Sequence, residues 1–478
     1  MKMDIAIKNS WILTLTEGKL GIIKNGSLGI EGENIVYVGP SEGLNHKSAD
    51  VVIDGRNHLI MPGLVNCHIH TSMQLLRGGA QDLPEIEWMN KGIGPLAKHV
   101  TGDDIILGSK LGVLEAIRTG TTTFSEYTRN VENLVKEVYL PFNTRVVATE
   151  TINEVSQTNK ASLKPTDLYE FDTSKGEQAL KKNEELFRIF QNEDLVTCLY
   201  GPQALDMVSV QTLLQIKDNA IEQNSKIHIH VAQGRRERLQ IEGRFGKGES
   251  TAKILNSENL LGDFLIAVHC HDTDETERKL MVDKGSKMIG CPSSITMIDG
   301  IIPPIYSFSK FGGDVGIGTD QAPGPGNHNL FREMRTISIL TKSMVKDPTV
   351  FPAWEMLRLA TIQGAKVLGL DKKIGTLEVG KKADIITIDL LDSFLTPIVS
   401  HPFHTFIPNI VYSATGKEIN NVIINGKLVL KNGKFTEIDE ESIIKKANLR
   451  AKEIYANAAE DWEKADSKMV QDVRDGLL

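Results

Sequence analysis

The chain contains few cysteines and no long apolar run. Its 478 residues include only Cys67, Cys198, Cys270 and Cys291, with no CxxC pair, which is too few thiols for a disulfide scaffold. No stretch of about 18 apolar residues occurs, so the sequence predicts no transmembrane helix. The first residues alternate apolar and polar types and lack the apolar core of a signal peptide. We therefore expect a soluble protein of the reducing cytoplasm.

An excess of positive charge is also missing. The chain has 54 Lys and Arg residues against 62 Asp and Glu residues, which gives a net charge of −8. Proteins that coat nucleic acid or an anionic membrane carry the opposite balance, so we expect neither partner. A hydrophobic fraction of 40% and a charged fraction of 24% are ordinary for a globular protein and exclude a disordered chain.

The two ends of the chain share a β-rich pattern. Residues 1–60 and 371–437 resemble runs of short strands, and the Asn-Gly pairs at Asn425 and Asn432 favour tight turns. We expect the two segments to pair into one small β-sandwich. Residues 438–478 form a charged, alanine-containing stretch that predicts a helical tail.

Residues 61–370 have a different pattern, in which short apolar runs alternate with helical segments. This alternation is typical of βα units around a parallel sheet. Eight runs occur: LIMPGLVNCHIH, GTTTFSEY, TRVVATETI, LVTCLYGPQ, KIHIHVAQ, FLIAVHCHD, SKMIGCPSS and DVGIGTDQ. They predict an α/β fold with a (β/α)₈ TIM barrel. In nearly every run the polar residue comes last, at the strand end where such barrels place their active sites.

Three histidines and one aspartate occupy such strand ends. His68 and His70 share one face of the first strand because residues i and i+2 point the same way. His230 ends the fifth run and Asp320 ends the eighth. Three imidazoles and a carboxylate suit Zn²⁺ or a similar divalent ion, with iron as the alternative. The fourth run offers no lysine that could bridge a second metal, so we expect one ion.

This donor set predicts hydrolysis. A divalent ion with an open position lowers the pKa of its bound water to about 7, which makes hydroxide available. Asp320 can accept the proton of the attacking water and return it to a leaving group. His269, at the end of the sixth run, is expected to hydrogen-bond that water, and His271 is in phase with it. The natural target is a trigonal ring carbon that bears nitrogen or a halide.

The order of these motifs resembles the metal-dependent amidohydrolase superfamily, in the branch of the cytosine, guanine and S-adenosylhomocysteine deaminases and the s-triazine hydrolases. The matching segments are 61–70, 120–124, 228–233, 268–270, 316–322, 360–389 and 422–433. The resemblance implies a barrel with a two-segment β-sandwich, one Zn²⁺ or Fe²⁺, and a homodimer or higher homo-oligomer. By motif match it implies that His68, His70, His230 and Asp320 are the ligands, that Asp320 is also the base, and that His269 faces the water.

Two positions depart from that branch. Its deaminases carry a proton-shuttling glutamate three residues after the third ligand, where this chain has Gln233. An amide has no titratable proton at neutral pH, so Gln233 cannot be the same acid. The histidine that contacts substrate at the end of the fourth strand is replaced by Gln203. The predicted metal ligands therefore match those of the branch, whereas the residues expected to contact the substrate differ from it.

Three explanations of Gln233 remain open. Glu126, Glu150 or Glu237 can protonate the ring, or the substrate is a cyclic amide or chloro-heterocycle that needs no ring protonation, or the protein only binds. We favour an aminohydrolase that acts on a C–N bond of a purine, pyrimidine, pterin or s-triazine. The predicted catalytic set is Asp320, His269 and Gln233. The predicted substrate contacts are Gln203, Glu126 and Trp88.

Overall fold

The structure is a computed structural model that describes residues 2–16, 18–156, 167–324 and 326–478. The strands are β1 (Met3–Leu13), β2 (Ile22–Glu31), β3 (Asn34–Pro40), β4 (Ala49–Asp54), β5 (His58–Pro62), β6 (Leu64–His70), β7 (Thr121–Thr128), β8 (Arg145–Ile152), β9 (Val196–Pro202), β10 (Ile227–Val231), β11 (Leu265–His269), β12 (Lys287–Gly290), β13 (Val315–Ile317), β14 (Asp320–Gln321), β15 (Ile385–Asp389), β16 (Ile419–Ile424), β17 (Lys427–Lys431) and β18 (Lys434–Phe435). The α-helices are α1 (Glu85–Glu87), α2 (Gly94–Ala97), α3 (Gly102–Arg118), α4 (Val131–Leu134), α5 (Thr173–Ile189), α6 (Val210–Glu222), α7 (Arg235–Phe245), α8 (Thr251–Ser257), α9 (Glu275–Asp283), α10 (Pro292–Asp299), α11 (Ile305–Lys310), α12 (Leu330–Val345), α13 (Ala353–Arg358), α14 (Gly364–Val367), α15 (Phe406–Tyr412), α16 (Glu440–Ala465) and α17 (Lys468–Arg474). Short 3₁₀ or π turns span Ser41–Gly43, His46–Ser48, Thr71–Leu76, Trp88–Ile93, Val135–Tyr139 and Leu359–Gln363.

In the part of the chain that the structure describes, nine parallel strands form the barrel, in the order β13-β12-β11-β10-β9-β8-β7-β6-β14. The last barrel strand is split, because β13 pairs with β12 while β14 pairs with β6 and so closes the sheet. At the break, a Cβ on Gly318 would lie 2.6 Å from the carbonyl oxygen of His68, so only glycine permits this close approach. The predicted α/β class and TIM barrel are confirmed.

The helices between the barrel strands have the amphipathic pattern that the sequence indicates. In α3, Thr101 and Asp104 form a reciprocal capping box that fixes the first turn. Its inner face buries Val113, Leu114 and Ile117 against the barrel, and each such side chain contributes about 1.5–3 kcal/mol when fully buried. Among the described residues, no helix is both long and apolar enough to cross a membrane.

A second sheet joins the two ends of the chain in the order β18-β17-β16-β15-β5-β1-β2-β3, with β4 paired to β1. The antiparallel pairing of β5 with β15 links the amino-terminal and carboxy-terminal segments. The sheet encloses its own core, which includes Ile7, Ile30 and Ile385. Asn425 and Asn432 adopt φ of 50° at their turns, as Asn-Gly pairs predict. The two β-rich ends therefore pair as expected, while the domain boundaries stay predictions.

The carboxy-terminal residues form α16 and α17, where the sequence predicts a helical tail. On α16, Ala447 and Ile454 pack in one apolar cluster with Leu76, which lies in the turn after β6. The hydroxyl of Tyr455 donates to the Leu76 carbonyl at 3.1 Å. The tail therefore supports the segment that follows the first histidine pair.

Candidate metal centre and active-site cavity

Four strand ends bring three imidazoles and a carboxylate together. The Nε2 atoms of His68 and His70 lie 3.0 Å apart, and Asp320 Oδ1 lies 3.6 and 3.4 Å from them. His68, His70 and His230 offer ligand atoms within 4.8 Å of one another, as do His68, His269 and Asp320. Two nitrogen ligands of a tetrahedral zinc ion lie about 3.3 Å apart, given a Zn–N distance of about 2.0–2.1 Å. The spacing therefore suits a single divalent ion.

The second nitrogen of two of these rings is fixed by the backbone. His70 Nδ1 donates to the carbonyl of Tyr127, and His230 Nδ1 donates to the carbonyl of Gln203 at 2.8 Å. These bonds set the tautomer in which each Nε2 keeps a free lone pair. Burial lowers the pKa of His230 to about 4, so the ring is neutral at neutral pH, as a metal ligand must be. The donor set therefore fits a bound cation.

His228 orients the imidazole of His68 from deeper in the barrel. His68 Nδ1 lies 3.0 Å from His228 Nε2, and His228 Nδ1 lies 3.3 Å from Ser125 Oγ. If His68 is to present a free Nε2, its Nδ1–H must donate to His228, whose own Nδ1–H then donates to the serine. Burial holds the pKa of both His68 and His228 well below the usual value, so both rings are neutral.

The two oxygens of the Asp320 carboxylate make different contacts. Oδ1 faces the histidine nitrogens, while Oδ2 accepts a hydrogen bond from Ser294 Oγ at 2.6 Å. The backbone of Asp320 is in the left-handed region at φ 60°, and His269 and Ala232 have φ of 75° and 52°. Such backbone costs about 1–3 kcal/mol per residue and concentrates at functional sites. The strand ends are therefore shaped to present these side chains.

A cavity of about 210 Å³ lies over this group of ligands. Its apolar walls are formed by Met73, Trp88, Met89, Met207, Ile295 and Ile298. The predicted residues Gln203, Gln233, His269 and Trp88 all line it, together with His70, His230 and Asp320. Pockets for drug-sized ligands measure about 300–1,000 Å³, so this cavity suits a smaller molecule such as a heterocycle.

Glu126 does not reach the cavity, in contrast to the expectation that it contacts the substrate. Its carboxylate accepts hydrogen bonds from the backbone N–H and the hydroxyl of Thr71, at 3.1 and 2.6 Å, and from the hydroxyl of Tyr139. The side chain is fully buried. Its bonds instead fix the backbone immediately after His70.

The other two glutamates considered as replacement acids are also held away from the cavity. Glu150 accepts hydrogen bonds from two backbone amides at the start of α4, at 3.0 and 2.9 Å. Glu237 accepts from the backbone amides of Ala232 and Gln233, at 3.0 and 2.8 Å, and from the hydroxyl of Thr251. Neither glutamate lines the cavity. Both therefore support loops rather than face a substrate.

The structure adds a polar wall that the sequence motifs do not reveal. Arg236 Nε lies 3.0 Å from Glu85 Oε1, and its guanidinium also pairs with the buried Asp206. His271, which is in phase with His269 in the sequence, lies 3.7 Å from Asp299. These residues lie in the loops and helices that follow the barrel strands. Their position after a strand was the one feature of the sequence that could have indicated a place at the cavity.

Comparison with known proteins gives a consistent result. Residues 59–429 match the amidohydrolase family. A 5′-deoxyadenosine deaminase of Methanosarcina mazei is 33% identical over 455 residues, which cover 95% of this chain and 99% of the relative. A 5-methylthioadenosine/S-adenosylhomocysteine deaminase of Moorella thermoacetica is 32% identical over 442 residues, which cover 92% and 97%.

A solved structure agrees with these relatives. The crystal structure of an adenosine deaminase from Xanthomonas campestris with bound zinc matches with a TM-score of 0.85 at 25% identity, over 95% of this chain and 99% of that one. The family match spans all the described barrel strands and reaches into both terminal segments of the second sheet. The fold, the group of candidate ligands at the strand ends and these matches agree, and the chain belongs to the amidohydrolase family.

Proposed function

We propose that the protein is a metal-dependent aminohydrolase that removes an amino group from a small, adenosine-type nitrogen heterocycle. One observation carries the proposal: His70, His230 and Asp320 belong both to the converging ligand group and to the lining of an apolar cavity. A substrate in that cavity would lie directly against the cation. The similar proteins named as deaminases of 5′-deoxyadenosine and of 5-methylthioadenosine indicate the substrate class.

His68, His70, His230 and Asp320 would hold the ion. Three imidazoles with one carboxylate favour zinc, and iron is the alternative; zinc is the metal bound in the Xanthomonas campestris protein. When bound, such a cation supplies Lewis acidity that acidifies a water to a pKa of about 7. The outward Nδ1 bonds of His70 and His230 keep both donors oriented.

The remaining side chains move protons and orient the substrate. Asp320 accepts a proton from the attacking water and passes it to the leaving amine, while Ser294 holds its other oxygen in place. His269 lines the cavity beside His230 and Asp320, where its imidazole can position a polar ligand. The Gln203 and Gln233 amides can hydrogen-bond ring nitrogens. Trp88 and the methionines shield the ring from water.

Metal analysis combined with an ammonia assay tests the proposal. Plasma mass spectrometry on the purified protein should find about one divalent ion per chain. The metal-loaded protein should then release ammonia from at least one of 5′-deoxyadenosine, 5-methylthioadenosine, S-adenosylhomocysteine, adenosine, guanine, cytosine, a pterin and an aminotriazine. A metal-loaded protein that releases no ammonia from any of them contradicts the proposal.

Gln233 favours one alternative activity. Because an amide cannot protonate a ring nitrogen, a substrate that needs no such proton, such as a cyclic amide or a chloro-heterocycle, would suit the chain as it stands. Adding chlorotriazine and hydantoin to the same panel separates the two functions. Chloride release or ring opening without ammonia would favour the alternative, and tight binding without any turnover would indicate a protein that only binds.

A further inference from the structure

A carboxyl group beside Gln233 has no part in the steps described above. Asp299 is the last residue of α10, and its side chain lines the cavity with only 12% of its surface exposed. It is reached from the seventh barrel strand, whereas the glutamate expected in this branch would follow the fifth. Asp299 therefore approaches the cavity from a different element than the residue that Gln233 replaces.

The position of Gly234 shows how closely these groups converge. A Cβ built on Gly234, which directly follows Gln233, would lie 3.2 Å from His271 Nε2, 3.7 Å from Asp299 Oδ1 and 3.8 Å from Glu85 Oε2. The φ of +113° at Gly234 suits only glycine. The chain thus brings its backbone against this polar group immediately beside the Gln233 amide.

Among the described residues, three carboxylates line the cavity, and two of them already have partners. Asp320 belongs to the ligand group and accepts from Ser294. Glu85 forms an ion pair with Arg236. Among the described residues, no lysine or arginine lies within 4.0 Å of Asp299, and its ionisable neighbour is His271 at 3.7 Å. Asp299 therefore has a carboxyl free to exchange a proton with a ligand.

The charges that face Asp299 come from several elements. His271 follows β11, Glu85 lies on α1, Arg236 on α7 and Asp320 on β14. Burial and the repulsion from Glu85 and Asp320 together raise the pKa of Asp299 to about 7, while Arg236 opposes the shift. A general acid is most effective when its pKa lies near the working pH, and an aspartate at its ordinary value would be deprotonated at neutral pH.

We propose that Asp299 is the catalytic acid that donates a proton to a ring nitrogen of the substrate, in place of the missing glutamate, while Gln233 holds the substrate ring by a hydrogen bond. This inference rests on the proposed aminohydrolase function. It also accounts for a deaminase that has kept its ligand set but carries an amide at the shuttle position.

The proton balance closes without a further reactant. The Asp299 O–H bond breaks and a ring N–H bond forms, while the electron pair of the ring C=N bond moves onto that nitrogen and the water oxygen bonds to the ring carbon. One water proton passes through Asp320 to the amino group, which leaves as ammonia with the C–N electron pair as the carbonyl forms. The other water proton returns to Asp299 through solvent. The sum is heterocyclic amine plus water to cyclic amide plus ammonia.

The test compares Asp299→Asn and Asp299→Glu with Asp283→Asn, an exposed carboxylate on α9 that pairs with Lys279. General acids contribute about 10²–10⁴-fold. We expect kcat for the best amino substrate to fall at least 100-fold in Asp299→Asn with KM changed less than about threefold. Partial recovery in Asp299→Glu and no change in Asp283→Asn should accompany it. The fall of wild-type kcat as the pH rises through about 7 should be absent in Asp299→Asn.

Two further measurements test the assignment beyond the kcat of the amine. Wild-type holoenzyme at pH 6 should show a protonated-carboxyl stretch in its infrared difference spectrum against Asp299→Asn, at equal metal content. A chloro analogue of the substrate, which needs less ring protonation, should lose less activity in Asp299→Asn than the amine does. Unchanged kcat, a pure rise in KM, or no carboxyl difference band would each overturn the assignment. A wild type that shows the band but releases no ammonia would instead reject the aminohydrolase function.

Discussion

Replacement of Glu126 by Ala distinguishes a structural role from the substrate contact that the sequence predicted. The change would leave three buried donors without their acceptor: the Thr71 N–H, the Thr71 hydroxyl and the Tyr139 hydroxyl. A buried donor that loses its acceptor costs about 1–3 kcal/mol. Because the surrounding structure relaxes in part, we expect the unfolding free energy to fall by about 3–5 kcal/mol in total. Since Thr71 follows His70, the affinity for the metal should fall as well.

Chemical denaturation and metal titration measure the two effects. Glu126→Ala should lower the denaturation midpoint and weaken metal binding, while KM measured on the metal-saturated, folded fraction stays within about threefold of the wild type. Glu132→Ala, which removes an exposed carboxylate on α4 paired with Lys136, is the matched control. Unchanged stability together with a large rise in KM would refute the structural role and restore the substrate contact.

Three other predictions follow from buried polar groups. Glu333→Gln should stabilise the protein increasingly as the pH rises from about 4.5 to 7, by up to about 3 kcal/mol. Burial raises the pKa of Glu333 in the folded protein to about 7, so over this range the carboxyl ionises more readily in the unfolded chain and the wild type loses stability. Parallel curves of stability against pH for the two proteins would contradict this. His228→Ala should weaken metal affinity about 10–100-fold by freeing the Nδ1 of His68, and unchanged affinity in a competition titration would refute it. Arg145→Met should lower the unfolding free energy by about 3–5 kcal/mol because it leaves Asp384 buried and unpaired, whereas an unchanged denaturation midpoint would contradict that.

The barrel was predictable because its signal is local and repeated. Nearly every run places apolar residues first and a polar residue last, so the eight βα units and the edge of the active site can both be deduced from the chain. The split of the eighth strand was not predictable, since it depends on the close approach of Gly318 to the His68 backbone. That contact joins residues on the first and last barrel strands.

The candidate metal ligands were predictable from the sequence for a similar reason. His68 and His70 share a face through strand periodicity, and His230 and Asp320 end their own runs, so parallel packing brings them together. The structure shows that convergence, while their assignment as ligands stays a prediction. Their supporting contacts could not be deduced, because the carbonyls of Tyr127 and Gln203 accept from these rings only in the folded barrel.

The substrate side was the least predictable part. Glu126, Glu150 and Glu237 have the right chemistry in sequence, yet each is bound by backbone amides that only the packed loops bring near. Asp299 and Glu85 lie in segments without a motif, and the structure alone places them on the cavity wall. A carboxylate in the sequence indicates possible acid–base chemistry, but its hydrogen-bond partners decide whether it can take part.

The metal content of His230→Ala shows whether the converging imidazoles bind a cation. We predict about one divalent ion per chain in the wild type and in His58→Ala, a half-buried histidine of β5 in the other sheet. His230→Ala should purify folded by circular dichroism with less than about one tenth of that content, because it removes one of the three imidazoles from the site. A folded His230→Ala protein that retains a full equivalent of metal would contradict the account.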